Sequence, residues 1–223
     1  MPKRPTAPAQ CENLPMNDTH TPRTLILGSS SRYRRELLER LRLPFEVCAP
    51  ELDESPLPGE APAQMAARLA LAKAQAIAQR FPQAIVIGSD QVADLLGQAL
   101  GKPGTHERAV AQLSAMSGQS VVFHTAVAVV CAESGFSAVE IAPVRVQFRS
   151  LSAIEIDNYL HAEQPYDCAG SAKSEGLGIS LLASIESDDP TALIGLPLIR
   201  TSQLLRQAGL DPLLALIKNG ASA

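Results

Sequence analysis

The chain has 223 residues, 46% of them hydrophobic and 19% charged, which is enough apolar content for a sizeable core and too much for general disorder. No apolar run approaches the roughly 18 residues that span a bilayer, so a membrane protein is not expected. A formal net charge of −4, with 4% aromatics and no tryptophan, argues against a nucleic-acid polymer as partner and leaves room for a local basic pocket that takes a small phosphorylated ligand.

Residues 1–22 carry Pro2, Pro5, Pro8, Pro15 and Pro22 without apolar periodicity, which predicts a disordered leader ahead of one folded domain over residues 23–219. The same stretch has no long apolar segment or cleavage signal, which predicts a cytoplasmic protein. Residues 24–28 (TLILG) read as a buried strand. Three serines then offer caps for a helix with a leucine stripe through Leu41, and residues 45–48 suggest a second strand. After a Pro- and acid-rich loop, Pro62 opens an Ala-rich helix to about Arg80. Residues 84–88 read as a buried strand running into Asp90 at its C-terminal end, and residues 97–104 as a Gly/Pro loop. Thr105 caps a helix ending at Gly118. Residues 121–131 and 139–148 form a hairpin about Glu133-Ser-Gly135. Ser152 caps a helix through Leu160, residues 170–178 form a Gly-rich stretch, and a closing helix runs from Pro197 to Ala208. A hairpin beside strand–helix units gives an α/β class with a mixed sheet.

Several constellations carry chemistry. Gly28-Ser-Ser-Ser-Arg-Tyr-Arg-Arg35 joins a strand to a helix start, where free N–H groups, hydroxyls including Ser29, and Arg32, Arg34 and Arg35 could hold phosphate. Arginines in a first turn oppose the helix dipole unless an anion is bound; the plainer reading is N-capping with solvated arginines. Asp90, after an apolar strand, suits a divalent cation or a water to be deprotonated, or else simply caps a turn. Lys102 lies in a Gly/Pro turn that lacks the spacing of a Walker A loop and would otherwise be a solvated charge. Lys73 interrupts the stripe of Met65, Leu69 and Ile77, so it either snorkels outward, the commoner case, or points into a lined cavity. Glu51, Asp53 and Glu54 form an acidic loop that could complete a metal site with Asp90. No cysteine belongs to a C-x-x-C pair and no Cys/His cluster has zinc spacing, so a structural zinc is not expected. Gly176-Leu-Gly178 lacks the third glycine of a dinucleotide fingerprint, and no G-x-S-x-G is present.

Taken in register, the 25–38 segment, Gly88-Ser-Asp-Gln91, Gly101-Lys-Pro103, Ser117-Gly118 with Thr125, Asp167-Cys-Ala-Gly170 and Gly195-Leu-Pro197 resemble the Maf-like nucleotide pyrophosphatases, over residues 24–209. Gly-Ser-Asp-Gln and Asp-Cys-Ala-Gly-Ser-x-Lys-x-Glu-Gly resemble the subgroup that acts on 7-methyl-GTP. Arg32 stands where that pattern often has Pro, and Ala172 where it has an aromatic. The resemblance implies an ITPase-like fold with a mixed curved sheet and two lobes flanking a cleft, often dimeric. It implies hydrolysis of 7-methyl-GTP between the α and β phosphates, giving 7-methyl-GMP and pyrophosphate, with a divalent cation (Mg²⁺ or Mn²⁺). It places the proton acceptor at Asp90 and base choice at Tyr33, Gln91 and Glu175. In that frame Ser29, Arg34, Lys73 and Lys102 neutralise the triphosphate, and Glu54 and Asp90 hold the metal. The competing readings are a pyrophosphatase for dTTP, UTP or other modified nucleotides, and a non-catalytic nucleotide-binding regulator of septum formation.

Overall fold

A computed structural model describes residues 23–215 of the chain; the predicted leader 1–22 and the end of the predicted domain, 216–219, lie outside the described residues. The run LILG forms strand β1 (Leu25–Gly28), buried throughout. The Ser31 hydroxyl then accepts the Arg34 N–H and starts helix α1 (Arg32–Glu39). A two-residue strand β2 (Glu46–Val47) pairs parallel to β1. The Ala-rich segment is helix α2 (Pro62–Arg80) with Pro in its first turn. Strand β3 (Ile85–Leu95) turns into a short β4 (Gln98–Leu100), followed by α3 (His106–Met116), capped by Thr105. The long hairpin β5 (Ser120–Cys131) and β6 (Phe136–Phe148) leads to α4 (Ala153–Glu163), where Ser152 and Glu155 form a capping box. Strand β7 (Leu182–Glu186) and helix α5 (Leu198–Gln207) follow, and residues 212–215 are again helical. Among the described residues no helix is long and apolar enough to cross a membrane.

The strands make one mixed sheet in the order β2-β1-β3-β5-β6-β7, with β4 on β3. Two sequence expectations change here. The predicted strand 84–88 continues to Leu95, so Asp90 sits mid-strand rather than at a strand end. It continues because β5 pairs with it along nearly its full length, from Val86↔Val130 to Asp94↔Val122, and overrides the turn-like composition of SDQ. The 97–104 loop likewise contains β4, and β7, whose sequence LASIE shows little alternation, was not foreseen.

The pairing on the other edge of β3 positions the site. β1 accompanies β3 only from Ile85 to Gly88, and β4 joins only at Ala93. Residues 89–92 therefore face a break in the sheet between the end of β1 and the start of β4. In strands, alternate residues face opposite sides. One side of the sheet carries α2, packed on Val86, Val92, Ala126 and Ala128. The other side carries two apolar clusters. Leu27, Ile87, Val127 and Val129 pack with α1 and α5, while Val121, Phe123, Val144 and Val146 pack with α3 and α4. Between these two lobes runs a polar seam of Ser89, Gln91 and Thr125, spent on the backbone of the 192–195 loop.

α2 lies unusually close to the sheet at Gly88. A Cβ on Gly88 would overlap the Ala70 carbonyl oxygen and sit 2.7 Å from the Ala74 nitrogen. The small stripe Ala66, Ala70 and Ala74 and the absent side chain at Gly88 together let helix and strand touch, which delivers Lys73 to the break.

Candidate active site

A cleft of about 710 Å³ opens at this break, within the range of small-molecule sites. The nine residues that the resemblance assigns to the site all line it: Ser29, Tyr33, Arg34, Glu54, Lys73, Asp90, Gln91, Lys102 and Glu175; Arg35, Glu51 and Asp53, also considered from the sequence, do not.

One end is built on regular structure. Lys73 does not snorkel. It is buried, and its Nζ lies 2.6 Å from Asp90 Oδ1 and 2.8 Å from Glu54 Oε1. Burial works against ionisation of Glu54, but the hydrogen bond and charge of Lys73, with Lys102 and Arg34, outweigh it and hold the carboxyl below its usual value. Ser29 is buried just past β1, where its Oγ accepts the Ser31 N–H at 3.2 Å and Arg34 Nη1 at 3.3 Å. Arg34 Nε donates to the Gly195 carbonyl at 2.9 Å. Desolvation pulls the Arg34 guanidinium below its ordinary pKa, against the pull of Asp90 and Glu54. Such a charge gains from an incoming anion. Of the three arginines expected at the phosphate loop, only Arg34 turns inward in this way. Arg35 points away and pairs with Glu39 at 3.1 Å, as its place one residue further round the helix dictates.

The other end is built from loops. Arg32 lies 4.7 Å from the centre of the Tyr33 ring and donates to its hydroxyl at 2.7 Å; Lys173 Nζ stands 5.9 Å from the same ring. The expected aromatic face thus already holds a cation. Glu175 is exposed as a residue, yet partial desolvation of its carboxyl raises its pKa. Burial, reinforced by Asp167, pushes the Cys168 thiol up to about 12, so it is a neutral wall and not a nucleophile. Gln91 donates from Nε2 to Thr125 Oγ1 and to the Ala192 and Leu193 carbonyls, so its amide nitrogen is spent on the protein.

The supports of this end escaped the sequence reading. Glu163, the last residue of α4, pairs with Lys173 and accepts the Leu177 N–H at 2.9 Å. The Lys173 N–H donates to Tyr159 Oη at 3.1 Å. A Cβ on Gly176 would come within 2.8 Å of the Glu163 carboxylate. The turn bearing Glu175 is therefore wrapped on α4. The spacing of Glu163 from Lys173 gave no motif; only the glycines at 176 and 178 hinted that backbone passes close to something.

The donor set suits a hard cation. Glu54 and Asp90 each give one oxygen to Lys73, and each carboxylate has a second oxygen beside the phosphate cradle. Mg²⁺ and Mn²⁺ are commonly held by one or two carboxylates together with substrate phosphates.

A profile of the Maf-like protein family matches residues 24–208. A protein of Polaromonas sp. (strain JS666 / ATCC BAA-500) named 7-methyl-GTP pyrophosphatase is 70% identical over 191 residues, 86% of this chain and 87% of that protein. Proteins of the same name from Albidiferax ferrireducens and Burkholderia thailandensis are 65% and 61% identical. They cover 86% and 83% of this chain, and 96% and 87% of their own lengths.

Proposed function

The chain belongs to the Maf-like family, and from that premise we propose that it hydrolyses the α–β phosphoanhydride of 7-methyl-GTP, giving 7-methyl-GMP and pyrophosphate. The observation that carries this reading is the buried Lys73 clamped between Glu54 and Asp90, beside Ser29 and Arg34 in one cleft. It supplies both charge compensation for a polyphosphate and a carboxylate for proton transfer. The names borne by relatives at 61–70% identity support the choice of nucleotide.

In this reading Arg34 and Lys102 bind the β and γ phosphates, and the Ser29 hydroxyl orients the chain. Lys73 fixes one oxygen of Asp90 and leaves the other directed by the strand. Asp90 accepts the proton of the attacking water as the oxygen approaches the α phosphorus. A divalent cation held by Glu54 and Asp90 would offset phosphate charge and help align the anhydride for displacement. The leaving pyrophosphate carries most of the developing charge, so cations dominate the stabilisation. At the loop end Tyr33 and Glu175 face the base, where a ring made cationic by N7 methylation gains from a nearby carboxylate.

The test is incubation of the chain with 7-methyl-GTP and Mg²⁺ or Mn²⁺, with products separated by chromatography. Pyrophosphate and 7-methyl-GMP are expected first, and EDTA should abolish both. Orthophosphate as the first product would mean γ cleavage and overturn the reading. A preference for dTTP or UTP would leave the pyrophosphatase standing and overturn the choice of base.

A further inference from the structure

Away from the cleft, His106 at the start of α3 meets Asp157 and His161 of α4. None of the three lines the cleft. One ligand atom from each lies within 4.8 Å of the other two. His106 Nε2 is 3.4 Å and His161 Nδ1 is 3.3 Å from Asp157 Oδ1. A tetrahedral zinc with bonds of ~2.0–2.1 Å sets its ligand atoms ~3.3 Å apart, so these two edges already have the required length.

The hydrogen bonds around His106 prepare it as a ligand. His106 Nδ1 lies 3.1 Å from Tyr166 Oη, which also sits 3.4 Å from the Leu160 carbonyl oxygen. With Nδ1 engaged by Tyr166, Nε2 is the nitrogen turned toward the Asp157 carboxylate, 3.4 Å away, and an ion between them would bridge the two. A histidine whose distal N–H is anchored by an outer partner is the usual arrangement of a metal ligand. Asp157 and His161 stand at i and i+4 on one helix face, and the last turn of α4 favours a cation, which offsets the unfavourable start of α3. His161 Nδ1 donates to the Asp157 carbonyl oxygen at 2.9 Å, so an ion bound there would take the place of that proton, with the ring N–H moved to Nε2.

We propose that His106, Asp157 and His161 form a second metal site, for a borderline transition ion such as Zn²⁺, with at least one position left to solvent. Two imidazoles and one carboxylate select against Mg²⁺, so the ion is chemically distinct from the one suited to Glu54 and Asp90. Its occupant would tie α3 to α4 beside two cleft-lining loops: Lys102 lies four residues before His106, and the Gly104 N–H donates to the Tyr166 carbonyl at 3.1 Å, just before Asp167 and Cys168. The 50 residues between His106 and Asp157 hide the cluster from any spacing motif.

The experiment is calorimetric titration of the full chain with Zn²⁺ and, separately, Mg²⁺, in wild type and in His106→Gln, Asp157→Asn and His161→Gln. We expect one saturable zinc event that Mg²⁺ does not compete away. Each variant should weaken it by at least about tenfold, the lower end of the ~10–100-fold range known even for outer partners of a metal ligand. Mg²⁺-supported turnover should be unchanged in all three. Co²⁺ in place of Zn²⁺ should give the visible absorption of a tetrahedral ion, lost in the same variants. Absence of saturable zinc binding would overturn the proposal. So would zinc binding that all three variants retain within about twofold, which would place the ion in the cleft or on other side chains.

Discussion

The two ends of the cleft are made in opposite ways. At the phosphate end, Lys73 and Asp90 project from the middle of a 19-residue helix and an 11-residue strand, and Gly88 sets their distance through backbone contact. At the base end, Tyr33, Glu175 and Lys173 sit on a first turn and a Gly-rich loop, held by side-chain bonds that can exchange. The difference teaches where each property resides. In the proposed reading, charge compensation for an anhydride, common to every nucleotide, sits on the rigid frame, and base choice sits on a turn that can be altered without moving that frame.

The contrast is broken most directly at Asp90. Asp90→Asn should lower kcat by at least ~10²-fold, the scale of a lost acid–base group. The melting temperature should stay close to wild type, because Asn is isosteric and Lys73 keeps Glu54 as partner. Near-normal turnover in the purified variant would make Asp90 structural.

Gly88→Ala tests the frame itself. The added methyl has nowhere to go between β3 and α2, and overpacking of this kind costs ~1–3 kcal/mol. A lower melting temperature and a reduced kcat on every nucleotide should appear together. Gly176→Ala meets the flexible end of Glu163, and should disturb the choice of base more than the stability.

Glu175→Gln sharpens the other side. It should reduce kcat/KM for 7-methyl-GTP relative to GTP by about tenfold, near the lower end of the ~1.5–3 kcal/mol of a hydrogen bond to a charged group. Wild type should show a matching pH dependence. Desolvation raises the Glu175 pKa, so its carboxylate is present above that raised value and lost below it. The ratio of the two substrates should therefore fall as pH drops through that point, and Glu175→Gln should flatten the profile. A ratio independent of both pH and the substitution would detach Glu175 from base choice.

The smallest effect is expected at Arg32. Its guanidinium occupies the Tyr33 ring at an exposed position, an interaction worth ~0.5–1 kcal/mol. Arg32→Ala should free that face and raise kcat/KM for 7-methyl-GTP by about two- to fivefold, the equivalent of that energy. A decrease would show that Arg32 contacts the substrate directly.

Much of the frame was legible in the sequence. The Ala-rich helix follows its predicted limits, Pro62 to Arg80, because one residue type sets both propensity and close packing. Ser31, Thr105 and Ser152 cap where capping chemistry places them. What could not be read was whatever depends on pairing at a distance. Ser89, Asp90 and Gln91 look like a turn until β5 is laid beside them. Lys73 had two orientations, and the choice rests on Asp90 lying opposite, 17 residues away. Arg32, Arg34 and Arg35 are chemically alike in the sequence, and only the helix phase separates the one that faces Ser29 from its neighbours.

The polar seam between the lobes has a consequence for mutational tolerance. Ser89, Gln91, Thr125 and Arg34 all donate to carbonyl oxygens of residues 192, 193 and 195. Those acceptors belong to the backbone, so a side-chain substitution at the half-buried Leu193 removes none of them, while at the fully buried Ala192 only the packing, not the hydrogen bond, restricts the side chain. The donors enjoy no such immunity: one change at Thr125 or Gln91 deletes its bond outright. Errors are thus absorbed on one bank of the seam and exposed on the other. The exception is Gly195, whose φ of 126° a side chain rarely adopts, so that the forgiving bank is anchored by a single residue that cannot vary.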